Sequence, residues 1–333
     1  MKELFSKLDA IAVNLEQGDM LVVNIVLAFV MFGVALGIKM QTFKDIFRNP
    51  KSVLLGMVLQ WVGLPAITFL IALLLNPIIT PMIAIGMILV ASCPGGNVSN
   101  FISSLSKGNI ELSVSMTAIT TAAAPFVTPI NFLIWGSLYT RFAAVKNDIP
   151  TLEIPFSDML LQILLILGLP IVLGMLVSYY RPRWAEILKK PLQVVSIVFF
   201  IGMVAVLLYK VLGTLHEQHL LDSAGMGILA VLALVVVHNA SAFATGYFGA
   251  KLLRLPELDR RSMTIEVGIQ NSGLGLAMLL NPRIFPPAEW GPSPEATGVC
   301  GGLILVAALW GVWHIVAGLS IASVFRRQDR KTF

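Results

Sequence analysis

Glu266-Val267-Gly268-Ile269-Gln270-Asn271-Ser272-Gly273-Leu274-Gly275 sits inside an apolar segment that runs from about Ser262 to Leu280. A carboxylate, two side-chain amides, a hydroxyl and three glycines occupy positions where lipid-facing sequence carries Leu, Val and Ile. An ionised carboxylate at bilayer depth costs about 3 kcal/mol on insertion scales and more by simulation. Glu266 therefore has to turn away from lipid and find a cation, a proton or a shell of hydrogen bonds. Gln270 and Asn271 follow one helical turn later, and the glycines allow an unwound backbone whose carbonyls can act as ligands. The stretch reads as half of an ion site. The plainer reading is a helix start whose Glu stays in water beside Arg260 and Arg261.

Working outward, the composition is that of a membrane protein. Of 333 residues, 57% are hydrophobic and 12% charged, with a mean hydropathy of +0.85. Soluble domains carry roughly 25% charge. The net charge of +5 is distributed among loops and is not a nucleic-acid signature. Cys93 and Cys300 are the only cysteines, far apart and in or beside apolar segments, so neither a disulfide framework nor a zinc spacing follows. No cleavable signal peptide is expected. Residues 1–20 place Leu4, Phe5, Leu8, Ile11 and Leu15 among charged residues at a spacing that suits an amphipathic interfacial helix.

Nine apolar segments predict an all-α polytopic fold of about nine transmembrane helices, at about 21–38, 52–75, 81–104, 112–136, 157–178, 193–213, 225–249, 262–281 and 299–323. Lys and Arg set the orientation. With the N-terminus outside, the inner loops hold Lys39, Lys44, Arg48, Lys51, Lys107, Arg181, Arg183, Lys189, Lys190, Lys251, Arg254, Arg260, Arg261, Arg326, Arg327, Arg330 and Lys331. The outer loops hold only Lys2, Lys7, Arg141, Lys146 and Arg283, with Lys210 near the outer end of segment six. The C-terminal tail, 324–333, is then cytoplasmic, in a protein of the inner (cell) membrane.

Segment three is interrupted as segment eight is, by Ser92-Cys93-Pro94-Gly95-Gly96-Asn97. Proline removes a backbone donor and clashes with the preceding turn, and the two glycines after it make a continuous helix improbable. An interrupted helix in each half of a chain is the sequence mark of a transporter site built from inverted repeats. Oxygen-bearing side chains gather at the same places: Ser99 and Asn100 after the first break, Ser113 and Thr117 at i and i+4, Gln60 mid-span in segment two, and Glu266 with Gln270. A hard cation such as sodium takes this kind of set, while half-helix N-termini suit an anion. Individually, each Ser or Thr could instead back-bond to its own helix or join two helices. His238-Asn239, in segment seven, reads as a polar tie between helices.

Cys93-Pro94-Gly95-Gly96-x-x-Ser99-Asn100, Lys107-Gly108-Asn109 leading into Leu112-Ser113-x-x-x-Thr117, Glu266-Val267-Gly268-Ile269-Gln270-Asn271, and Val312-Trp313-His314 together resemble the bile acid:sodium symporter family, over residues 24–325 or so. The resemblance implies two sodium sites. One uses the side chains of Ser99, Asn100, Ser113, Thr117 and Glu266. The other uses Gln60, Glu266 and Gln270 with the backbone oxygens of Val267 and Ile269. It implies two crossing discontinuous helices in a core domain, 52–136 and 225–323, that moves against a panel domain, 21–38 and 157–213. The inverted repeats have four and five helices, the first of the ten usual in bacterial members being absent.

The chain departs from the family pattern at Asn97, where relatives often have Thr, and at Ile315, where they often have Asn. The expected activity is therefore sodium-coupled uptake of an organic anion, a bile acid or a smaller acid, with Asn97, Asn271 and His314 as substrate contacts. The rival on the same scaffold is a proton-coupled or metalloid exporter, with Glu266 as proton carrier and Cys93 as thiol ligand. A membrane enzyme finds no support, since the sequence has no metal-ligand His spacing, nucleophile elbow or nucleotide loop.

Overall fold

A computed structural model describes residues 1–13, 17–38, 50–96, 98–147, 160–161, 163–217, 221–286, 290–293 and 298–331. The fold is mostly helical. Among the described residues, four helices are long and apolar enough to cross a membrane: Pro50–Leu75, Ile110–Ala143, Gly225–Leu252 and Gly301–Gln328. Shorter apolar helices accompany them at Ile25–Ala35, Pro81–Ser92, Leu169–Tyr180 and Ile201–Gly213.

The N-terminus departs from expectation. The amphipathic helix α1 spans only Lys2–Asp9, burying Phe5 and Leu8. It is followed by a two-residue strand, β1 (Ala12–Val13), which pairs antiparallel with β2 (Val299–Cys300) near the other end of the chain. Gly301 N–H donates to Ile11 O at 2.8 Å, so the clasp is fastened to the first residue of the last helix, α12 (Gly301–Lys331). α12 carries the basic end on as helix rather than as a separate tail.

Asp9 sits beneath this clasp, against Gly302, where any Cβ would strike its carboxylate. Burial raises its carboxyl to about 7, with the Thr80 hydroxyl pulling the other way. A raised carboxyl pKa means that the folded chain holds the proton longer than the unfolded one. Its contribution to stability is therefore full below the ordinary carboxylate range and declines as pH rises towards 7. Across that interval the melting temperature of the wild type should fall relative to that of Asp9→Asn, and parallel profiles would refute this.

Helix α2 (Gln17–Ala35) packs against α7 (Leu169–Tyr180) and α8 (Pro182–Glu217), and α7 packs against α8. α8 extends well before the expected start of segment six. Helix α3 (Pro50–Leu75) turns Leu54, Val58 and Val62, one turn apart, outwards. Gln60 on its other side is 1% exposed, within a π-helical turn, Leu59–Gly63. Such turns add a residue to the helical repeat and recur at functional sites.

Segment three breaks as expected, into α4 (Pro81–Ser92) and α5 (Val98–Leu105). Segment eight breaks into α10 (Glu257–Gly268) and α11 (Ser272–Leu279). Pro125 and Pro129 leave α6 (Ile110–Asn147) continuous. α5 ends with Lys107 in the left-handed region at φ 53°, and Gly108 N–H reaches back to Ser103 O at 2.9 Å. That backward bond satisfies the last carbonyls of the half-helix. Asn109 then caps α6 by accepting from Leu112 N–H at 3.1 Å. Its amide donates to Asp259 Oδ1 at 2.8 Å, and Ser52 donates to Asp259 Oδ2 at 2.6 Å. Asp259 thereby ties α3, the α5–α6 turn and α10 together, a role that nothing in the sequence signals.

Candidate functional site

The two interrupted segments cross backbone to backbone. Gly96 N–H donates to Ile269 O at 2.9 Å, and Asn271 N–H donates to Pro94 O at 2.8 Å, an antiparallel bridge centred on Gly95 and Gln270. Side chains at the two glycines would crowd this approach. A Cβ at Gly96 would lie 3.0 Å from Gln270 O, and one at Gly95 would lie 3.0 Å from Gln60 Nε2 and 3.2 Å from Glu266 Oε2.

Glu266 lies in the last turns of α10 with 0% exposure, which disposes of the solvated helix start. Ser99 donates to Oε1 at 2.6 Å, Ser113 donates to the same oxygen, and Thr117 donates to Oε2 at 2.9 Å. Asn100 Oδ1 lies 2.9 Å from Ser113 Oγ and 3.3 Å from Thr117 Oγ1. Each hydroxyl has one proton to give, yet Ser113 Oγ stands within bonding distance of three oxygens: Glu266 Oε1, Asn100 Oδ1 and Ser103 Oγ. Oxygens thus outnumber protons around a negative charge that has no ion-pair partner among the described residues. The donor set fits a hard monovalent cation, for which the hydroxyls need only rotate to present lone pairs.

The second predicted set lies beside the first. Gln60 Nε2 donates to Gln270 Oε1 at 3.4 Å, and Gln270 Nε2 donates to Val267 O at 2.9 Å. Gln60 Oε1 is buried without a partner. Ile269 O is engaged by Gly96 N–H but retains a second lone pair. Asn239 donates from Nδ2 to Gly268 O at 2.7 Å. Beyond joining two helices, it closes the end of α10 where the chain unwinds.

Two of the three predicted substrate contacts are described. Asn97 lies outside the described residues. Asn271 caps α11, its side chain accepting from Leu274 N–H at 3.1 Å. His314 is 5% exposed, with Nδ1 2.7 Å from Trp310 O on its own helix. A cleft of about 620 Å³ opens instead between α2 and α8 on one side and α5 and α6 on the other. Asn100, Thr117 and Thr121 line one wall and Lys189, Lys190 and Gln193 the other. Apart from Asn100 and Thr117, these look in sequence like ordinary helix and loop residues. Asn100 and Thr117 face both the Glu266 shell and the cleft.

Interrupted helices meeting over a buried charge are how ion-coupled membrane transporters build a site. The chain belongs to the Sodium Bile acid symporter family, whose model matches residues 24–218. It is 31% identical over 310 residues to the uncharacterized sodium-dependent transporter YocS of Bacillus subtilis, covering 93% of this chain and 84% of that one. It is 28% identical to the probable chloroplastic sodium/metabolite cotransporter BASS1 of Arabidopsis thaliana, over 86% of this chain and 65% of the relative. It is also 28% identical to the ileal sodium/bile acid cotransporter of Oryctolagus cuniculus, over 76% and 67% respectively. These relatives are named as transporters or cotransporters, not as enzymes.

Proposed function

We propose that this chain is a symporter that uses sodium to take up an organic anion by alternating access. The observation that carries the reading is Glu266, fully buried at the helix crossing and held by the hydroxyls of Ser99, Ser113 and Thr117. Sodium at Ser99, Asn100, Ser113, Thr117 and Glu266 neutralises the carboxylate. A second sodium at Gln60, Glu266, Gln270 and the oxygens of Val267 and Ile269 stiffens the unwound segment. With both bound, the crossing is held by ions as well as by its backbone bridge, and the cleft wall formed by Asn100 and Thr117 is fixed for substrate.

α2, α7 and α8 act as the panel, and α3 to α6 with α9 (Leu221–Leu252) to α12 as the core, in four-plus-five repeats. By the preference of Lys and Arg for the inner side, Lys189 and Lys190 support a cleft that opens to the cytoplasm, with the N-terminus outside the inner membrane. Asn97, Asn271 and His314 remain candidate contacts for the state that opens the other way. The names of the relatives, sodium/metabolite and sodium/bile acid cotransporter, support sodium coupling over the proton or metalloid alternative. So does Cys93, which is buried against Gly275 and outside the Glu266 shell.

The test is uptake by the full chain in proteoliposomes, with sodium or potassium outside. Uptake that persists unchanged in potassium would end the sodium reading. Gln60→Ala should lower the Hill coefficient for sodium from about two to about one, because that coefficient is bounded by the number of coupled sites. An unaltered coefficient would remove Gln60 from the ligands.

A further inference from the structure

Charge in the cleft is unevenly spread. On the α8 wall, Lys189 and Lys190 are adjacent and exposed, with no ion-pair partner among the described residues. One acidic side chain, Glu186, shares that wall, four residues before Lys190 and on the same helix face. Among the described residues, positive charge therefore predominates on that wall. Opposite it, Thr121 lies one helical turn beyond Thr117, is 1% exposed, and keeps a hydroxyl with no hydrogen-bond partner. A buried polar group left in this state is costly unless a ligand completes it.

The other contribution lies behind the core wall. Thr117 lines the cleft and donates to Glu266 Oε2, and Asn100 lines the cleft beside it. Two sodium ions against one carboxylate leave one surplus positive charge there as well. A loaded cleft thus presents positive charge from both sides of the space left for substrate.

We propose that the cleft selects an organic acid bearing two carboxylates. Lys189 and Lys190 receive one carboxylate. The other lies against Thr121 and Asn100, next to the sodium ions. The inference rests on the sodium-coupled reading and adds to it the charge class of the substrate and the residues that sense it. Gln193 supplies a neutral amide on the same wall as the lysines. A monoanion would meet only one of the two positive sides.

The probes are α,ω-dicarboxylates from succinate to sebacate, each beside its own monomethyl ester, which keeps the carbon skeleton and removes one charge. Binding is read as the thermal shift of the purified full chain in saturating sodium. At least one diacid should bind roughly tenfold or more tightly than its ester, a preference worth about 1.4 kcal/mol. The double variant Lys189→Gln with Lys190→Gln should bring that ratio close to one while leaving the response to sodium alone unchanged. Lys189→Arg with Lys190→Arg should keep it.

A ratio near one in the wild type for every pair overturns the proposal, however the variants behave. So does a ratio that survives the glutamine pair. If sodium shifts the melting curve and no carboxylate of either kind does, the dianion assignment falls and the sodium site stands. If sodium itself produces no shift, the sodium reading falls and takes this inference with it.

Discussion

Glu266→Gln should abolish the stabilisation that sodium confers on the purified chain. The carboxylate belongs to both proposed sites, so its loss leaves neither with a negative ligand. A ligand that binds only the folded state stabilises it by about 2.7 kcal/mol at roughly a hundred times its Kd, and this is the amount expected to disappear. The opposite sign is expected without sodium. The wild type then holds a buried carboxylate balanced only by Ser99, Ser113 and Thr117, and the isosteric amide removes that charge. The variant should match or exceed the wild type in potassium and fall below it in sodium. Melting curves of both proteins in matched sodium and potassium buffers make the comparison. A variant with an intact sodium response would show that the carboxylate is structural, with the ions bound elsewhere.

Gly96→Ala should stop uptake almost completely. The added methyl meets Gln270 O at 3.0 Å, a backbone atom held by the bridge between the two broken segments. A flexible side chain could swing aside, but this carbonyl cannot move without separating Gly96 N–H from Ile269 O. Overpacking of this kind costs about 1–3 kcal/mol, and at the crossing the cost falls on the geometry that sets the ligand oxygens. Uptake should drop about tenfold or more for each 1.4 kcal/mol of that cost. Gly202→Ala is the control. Nothing lies within 4 Å of a Cβ there, and alanine is the better helix former. Uptake by Gly202→Ala should equal that of the wild type. Equal uptake by both variants would mean that the bridge opens during transport and tolerates the methyl.

The two breaks are legible in the amino-acid order because their causes are local. Pro94 withholds a backbone donor, and glycine tolerates unwinding at 95–96 and at 268. Polar side chains that could not face lipid are equally legible, since the bilayer leaves a buried carboxylate few options. That logic picks out Glu266, Ser99, Asn100, Ser113, Thr117, Gln60 and Gln270, which the fold brings together. It says nothing of what Asn239 holds, because its partner, Gly268 O, is free only where another helix ends.

The N-terminal clasp has no local cause. Two-residue strands carry no period to detect, and β1 finds its partner almost three hundred residues away. Thr121, Lys189 and Lys190 look in sequence like an ordinary helix residue and a solvated basic turn. Only the gap between α8 and α6 brings them to one cleft.

The amino-acid order alone determined that the chain crosses a membrane as helices, that two of them are broken, and that a carboxylate with several oxygens is withheld from lipid. Each follows from what the hydrocarbon core refuses. Tertiary structure alone decided which oxygens reach Glu266, that Asp259 ties three helices together, and that a positively lined cleft shares a wall with the carboxylate. Those outcomes depend on how helices distant in the chain pack, and the spacing of residues along one helix carries no record of what will stand opposite it.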